Sequence, residues 1–178
     1  SLEDFYWSLD MHLDVFSVMP ADVVRVAQLT QKTNQFNLTT RRYNEADVFR
    51  LLDDPLFEIF AARVNDRFGD SGIIAVAIVE VNDTQARLDT FLMSCRVIGK
   101  TIETGILSII ADSLVTKGVT RLVGHYIASE KNSPASSFFA DHGFKNNKER
   151  GWQIELPEAA PKMPDWIKAK TFELKGEN

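Results

Sequence analysis

The stretch SCRVIGKTIETGILSII, residues 94–109, constrains the fold more than any other part of the chain. An apolar run stops at Arg96, turns through Gly99 and restarts with Ile102, Ile106, Ile109, Ile110 and Ser113 on one helical face. Lys117 and Gly118 then end the helix, as a last-turn cation and a C′ glycine do. A strand that hands over to a helix through a glycine implies a mixed α/β domain.

The flanking sequence extends this pattern. Residues 9–18 alternate, with Met11, Leu13 and Val15 on one face, as a half-buried strand does. Pro20 suits the first turn of a helix carrying Val23, Val26, Ala27 and Thr30. A second helix starts at Asn44, with Asp47 in the capping-box position, and ends before Pro55. FEIFAARVND (57–66) and IIAVAIVEVND (73–83) read as a hairpin joined by RFGDSG, and ARLDTFLMSC leads into the opening stretch. RLVGHYIAS (121–129) reads as a buried strand, SPASSFFADH as a helix stopped by Gly143, and WQIEL (152–156) as a last strand. The expected organisation is residues 1–19 as a linker end plus first strand, 20–156 as the domain proper, and 157–178 as a tail.

At 178 residues the chain fits one well-packed domain. A net charge of −5, without a dense Lys/Arg block, argues against nucleic acid as a general partner. No apolar run approaches the ~20 residues that cross a bilayer, so no membrane partner is expected. Cys95 is the only cysteine, which rules out an internal disulfide and fits a reducing cytoplasm. Three scattered histidines with that one thiol make no metal site. Ser1 at the start suggests a piece of a longer protein.

The strand–glycine–helix junction has two readings. Free amides at a helix start, with Arg96 and Lys100 beside them and no side chain on Gly99, could hold a diphosphate. Equally, the junction could be an ordinary turn with a solvated cation pair. There is no GxGxxG after the first strand and no GxxxxGK[ST], so neither a Rossmann nor a P-loop site is supported.

Arg96-x-x-Gly99-x-Thr101 resembles the acetyl-CoA signature Gln/Arg-x-x-Gly-x-Gly/Ala of the GNAT acyltransferases, and Asn132-x-x-Ala135 with FFADHGF (138–144) resembles their downstream segment. RVAQLTQKTNQFNLTTRRY (25–43), DRFGDSGIIAVAI (66–78), DTFLMSCRVIGK (89–100) and TRLVGHYIASEKN (120–132) look more narrowly like the C-terminal part of FkbH-like proteins. The resemblance implies a GNAT fold, a central mixed sheet flanked by helices. It also implies an acyltransferase of secondary-metabolite or polysaccharide biosynthesis, taking acetyl-CoA, another acyl-CoA or the phosphopantetheine thioester of an acyl carrier protein. An N-terminal haloacid-dehalogenase-type domain would be the second partner. The alternative it leaves open is a non-catalytic module docking pantetheine or carrier protein for that neighbour.

Carried onto this chain, the resemblance places the acyl-CoA between splayed strands 86–95 and 120–128. Amides of Val97, Gly99, Lys100 and Thr101 would bind phosphate beside Arg96, the backbone near Leu92 and Ser94 would pair with pantetheine, and Asn132 and Phe139 would line the other wall. Thr101 stands where the signature has Gly or Ala, and Phe139 where many members carry the tyrosine that protonates the leaving thiolate. His125 and Glu130 are candidate bases on or after strand 120–128. Asp89 is a third polar candidate. Cys95 is expected to be a buried, inert thiol, Arg41-Arg42 a solvated turn, and His12 and His142 ordinary residues.

Overall fold

The computed structural model describes residues 1–170. The chain begins with helix α1 (Leu2–Ser8), followed by strand β1 (Met11–Ser17). A short 3₁₀ turn at Pro20–Asp22 leads into α2 (Val23–Lys32), then β2 (Phe36–Asn37) and α3 (Glu45–Asp53). Three long strands follow, β3 (Phe57–Asp66), β4 (Gly69–Asn82) and β5 (Gln85–Met93). The rest is α4 (Ile102–Thr116), β6 (Arg121–Gly124), α5 (Phe138–Asp141), β7 (Lys145–Asn147), β8 (Gly151–Glu155) and β9 (Ile167–Ala169).

Among the described residues these strands form one nine-stranded sheet, in the order β7-β8-β6-β5-β4-β3-β1-β9, with β2 attached to β5. The β5–β6 and β1–β9 pairs are parallel, and the others are antiparallel. Strands β3 and β4 bury both faces, which is why their sequences read as near-continuous apolar runs. Phe60, Ala62, Val64, Ile74 and Ala77 join a core with α4 and α5. Ile59, Ala61, Val76 and Ile78 join a second core with Val23, Val26 and Ala27 of α2 and Val48 of α3. Helices therefore cover both sides of the sheet.

Local signals explain the element ends. The Asn44 side chain accepts from the Asp47 N–H, and the Asp47 carboxylate accepts from the Asn44 N–H at 2.9 Å, completing the capping box. The hairpin turn is tighter than RFGDSG suggests. Pairing continues to Asp66 opposite Gly69, leaving Arg67 and Phe68 as the turn, with register shifts between Ala62 and Asn65 absorbing the extra residues.

The structure differs from the sequence reading at several places, among them the short strands β2 and β7, which that reading lacks, and SPASSFFADH, where a 3₁₀ turn at Ser133–Ala135 precedes the four-residue α5. Residues Leu2–Ser8, for which the sequence reading has no helix, form one capped by Ser1. The segment expected as a tail adds β9 to the sheet beside β1, while residues 171–178 lie outside the described residues. The strand expected over 121–129 pairs only as far as Gly124.

The cause of that early end lies in β5. Opposite Ile78 and Val79 the register jumps from Thr90 to Leu88, leaving Asp89 as a bulged residue. A bulge bends its strand and sharpens the local twist. Pairing of β5 with β6 runs from Gln85–Arg121 to Leu88–Gly124 and stops at the bulge. Beyond it the two strands part.

Gly124 sits at the parting point with the Phe139 ring directly over it. A Cβ there would lie 2.5 Å from Phe139 Cζ. That ring is held at 5.0 Å by Phe144 and at 5.9 Å by Trp152, so it has little room to retreat. Gly124→Ala is expected to destabilise the domain by about 1–3 kcal/mol, the usual range for an overpacked core. Urea unfolding of the two proteins measures this, and an unchanged midpoint would show that the ring yields freely.

Candidate functional site

The space opened by the parting of β5 and the chain after β6 is where the sequence motifs converge. The chain's own strand β2 fills it. Phe36 lies opposite Met93 and Asn37 opposite Leu92, while Ala75 and Val76 hold the same two residues from the β4 side. Leu38 N–H donates to Phe91 O at 3.1 Å, and Ile127 N–H donates to Leu38 O at 2.9 Å. Segment 36–39 thus bridges the two strands that parted.

This segment is buried throughout: Phe36, Asn37, Leu38 and Thr39 are at most 6% exposed. Its polar side chains are tied inward. Thr39 Oγ1 donates to the Asp89 carbonyl at 3.0 Å, and Asn37 Nδ2 donates to Thr33 O at 3.2 Å. Asn37 Oδ1 accepts from Thr40 N–H at 2.9 Å, closing a turn in which Thr40 adopts φ +53°.

Asn132 is completely buried, and its amide reads backbone from both sides. Nδ2 donates to Asn37 O and to Ile127 O, both at 2.9 Å, while Oδ1 accepts from Ser129 N–H at 2.7 Å and Tyr126 OH at 2.9 Å. Asn132, expected to line the wall of a ligand site, holds a peptide of this chain instead.

Several expected roles therefore change. Because Phe91 turns its carbonyl toward β2, strand alternation turns the backbone of Leu92 toward β4. Ser94 N–H likewise donates to Ile74 O at 2.7 Å. Leu92 and Ser94 thus do not face the gap, whereas Phe91 and Met93 do and are covered. Phe139 is 1% exposed and packed under Gly124 rather than presented to a ligand.

At the start of α4 the turn is held by the rest of the fold. Tyr6 OH donates to Gly99 O at 3.3 Å, and Trp166 Nε1–H donates to Thr101 Oγ1 at 2.8 Å. The Tyr6 and Trp166 rings stack 5.0 Å apart. Gly99 and Thr101 both have positive φ, +81° and +61°, so this is a tightly specified loop. Lys100 is drawn to Asp66 at 3.2 Å, Arg96 donates to Ser71 O and Ser94 Oγ, and Val97 is buried. The amides of Gly99, Lys100 and Thr101 donate to no protein acceptor among the described residues. Glu103 lies in the first turn, its carboxyl pushed up by burial.

The candidate bases are not assembled into a site. His125 is exposed, its ring against Gly151 at the start of β8. Glu130 lines a separate cavity of about 390 Å³ with Asn34, Thr40, Arg42, Ser129 and Lys131. Asp89 is buried but fully engaged, by Arg41, by Arg87 at 3.2 Å, by Tyr43 OH and by Thr90 Oγ1 at 3.0 Å. Arg41 is therefore an ion-pair partner rather than a solvated turn residue, and Arg42 binds the carbonyls of Thr30 and Thr33. Cys95, expected to be buried, is exposed.

No protein-family profile matches this sequence, and no curated protein matches it. Solved structures do. The ribosomal-protein-S18-alanine N-acetyltransferase from Escherichia coli superposes with a TM-score of 0.57 at 16% identity, covering 80% of this chain and 90% of that one. The chain has the GNAT fold. Ard1 from Thermoplasma volcanium has a TM-score of 0.61 at 12% identity, covering 82% of this chain and 99% of its own. PaiA N-acetyltransferase from Thermoplasma acidophilum, solved with coenzyme A, has a TM-score of 0.59 at 14% identity, covering 80% and 97%. Within this GNAT-fold domain, segment 36–39 lies along β5 beyond the bulge at Asp89 and reaches the chain after Gly124.

The Asp89 network is open to a direct test through Tyr43. Burial, and then the hydrogen bond to the Asp89 carboxylate, push the Tyr43 phenol up to about 12 from 10.0. The folded state thus holds this proton more tightly than the unfolded chain does. The resulting stabilisation is complete below about pH 10 and declines as pH rises toward about 12. Tyr43→Phe is expected to remove that decline. Denaturant titrations of both proteins across this range measure it, and identical slopes would show that Tyr43 is not coupled to folding.

Proposed function

We propose that this domain is a GNAT-fold docking module that does not transfer acyl groups. The observation that carries the reading is segment 36–39 in the gap between β5 and the chain after β6. It uses the backbone of Phe91 and Met93, and the amide of Asn132, that a pantetheine arm would need.

Opening the gap is costly. Exposing Phe36 and Leu38 costs about 1.5–3 kcal/mol each. Breaking the bonds from Leu38, Ile127, Asn132 and Thr39 adds roughly 0.5–1.5 kcal/mol apiece. The sum, about 5–12 kcal/mol, is comparable to the ~8 kcal/mol that a micromolar ligand supplies in total, so releasing the segment would consume most or all of such a ligand's binding energy. Phe139 agrees with this reading, since it offers no proton to a leaving thiolate and is buried besides.

The resemblance to FkbH-like proteins supplies the partners in this reading: a haloacid-dehalogenase-type domain ahead of this region, and the acyl carrier protein that such a domain serves. Leu2, Phe5 and Trp7 of α1 are 65%, 49% and 52% exposed. These exposed apolar side chains support contact with the neighbouring domain. A reducing cytoplasm accords with an exposed Cys95.

One observation favours a second reading, an acyl-CoA transferase that opens by releasing β2. It is the set of free amides at Gly99, Lys100 and Thr101 in the turn that carries the GNAT signature. Isothermal calorimetry with acetyl-CoA and single-turnover assays against amines and hydroxyls distinguish the two. The docking module is expected to give no heat at millimolar acetyl-CoA and no acyl transfer. Micromolar binding with turnover would establish the transferase.

A further inference from the structure

A cavity of about 380 Å³ opens between α2, the loop at Asn34–Gln35 and the end of β5. Arg25, Leu29 and Lys32 reach it from one stripe of α2, spaced four and three residues apart, as one helical face requires. Leu29 is buried, while the two cations flank it. Arg96 and Cys95 enter from the opposite side, and Asn34 and Gln35 supply amide groups.

The charge arrangement is unusual for this protein. The chain carries a net charge of −5, yet no acidic side chain lines this cavity. Among the described residues, Arg25, Lys32 and Arg96 form no ion pair, whereas several cations that lie against the sheet do. Arg41 and Arg87 meet Asp89, Lys100 meets Asp66, and Lys117 meets Glu58. Arg96 spends only two donors, on Ser71 O and Ser94 Oγ. Three like charges gathered without a counter-ion repel one another, and an anion between them relieves that repulsion.

The geometry points to this cavity as a binding site for the phosphoryl group of a small phosphorylated molecule. Three cations, two amide side chains and the Ser94 hydroxyl give the many donors that a phosphate's oxygens accept from. The site is separate from the turn that begins α4, where Lys100 is neutralised by Asp66 and Tyr6 and Trp166 hold the loop.

Cys95, exposed in this cavity and the only cysteine of the chain, reports on it. The experiment compares alkylation of the domain by anionic iodoacetate and neutral iodoacetamide, at fixed ionic strength and beside a short cysteine peptide. The iodoacetate-to-iodoacetamide rate ratio is expected to exceed the peptide's by about 10-fold, the lower end of electrostatic enrichment in a charged cleft. Millimolar inorganic pyrophosphate is expected to slow both reagents, while sodium chloride of matched ionic strength does not. Arg25→Gln combined with Lys32→Gln, both outside the main cores, should return the ratio to the peptide's with an unchanged circular dichroism spectrum. A wild-type ratio equal to the peptide's, or no protection by pyrophosphate beyond the salt control, overturns the proposal.

Discussion

The backbone of β5 beyond its bulge has polar groups that must find partners. Once Asp89 bulges out, β6 leaves the edge of β5, and the carbonyl of Phe91 and the backbone of Met93 face a gap inside the domain. An unpaired backbone group in such a place costs as much as a lost hydrogen bond. Segment 36–39 supplies the missing ladder on one side and meets Ile127 on the other. Much else follows from that placement. Asn132 must be an amide to serve Asn37 O, Ile127 O, Ser129 N–H and Tyr126 OH at once. Asp89 must gather Arg41, Arg87 and Tyr43, because the bulge turns its carboxylate inward, where it is 4% exposed. The GNAT architecture is retained while its central opening becomes part of the core.

The layered architecture was legible in the sequence because it rests on local periodicity. The stripe on α2, the Asn44–Asp47 capping box, the β3–β4 hairpin and the Gly118 stop all sit where their patterns place them. The extent of β6 was not legible. HYIAS continues the apolar character of RLVG, and only the Asp89 bulge, a tertiary event on another strand, ends the pairing at Gly124. Helix α1 and strand β9 were missed for a related reason. SLEDFYWSLD carries a Ser1–Asp4 capping box over a short run, and Ile167–Ala169 becomes a strand only because β1 offers an edge.

Of the candidate site, the sequence named individual residues but not their surroundings. Arg96, Gly99 and Thr101 lie at the turn before α4, while Asn132 holds segment 36–39 and Phe139 packs against Gly124. That TNQFNLTT fills the space between them carries no periodic signal, since the segment contributes only two paired residues to the sheet. One clue was present. Thr33, Asn37, Thr39 and Thr40 are short polar side chains of the kind that bond to backbone, and two of them, Asn37 and Thr39, do so while buried. Cys95 misled because a cysteine after an apolar strand is most often inside, whereas here a 3₁₀ turn lifts it to the surface.

Whether segment 36–39 is a permanent part of the core is settled most directly by native-state hydrogen exchange at the amides of Leu38 and Ile127. These donate to Phe91 O and Leu38 O across the gap. If the segment is core, both amides exchange only through global unfolding, with protection matching amides in the middle of β4 and falling in step with them as urea is added. If the segment is a gate, Leu38 and Ile127 exchange through a local opening, orders of magnitude faster than β4 and insensitive to low urea. That second result would contradict the account.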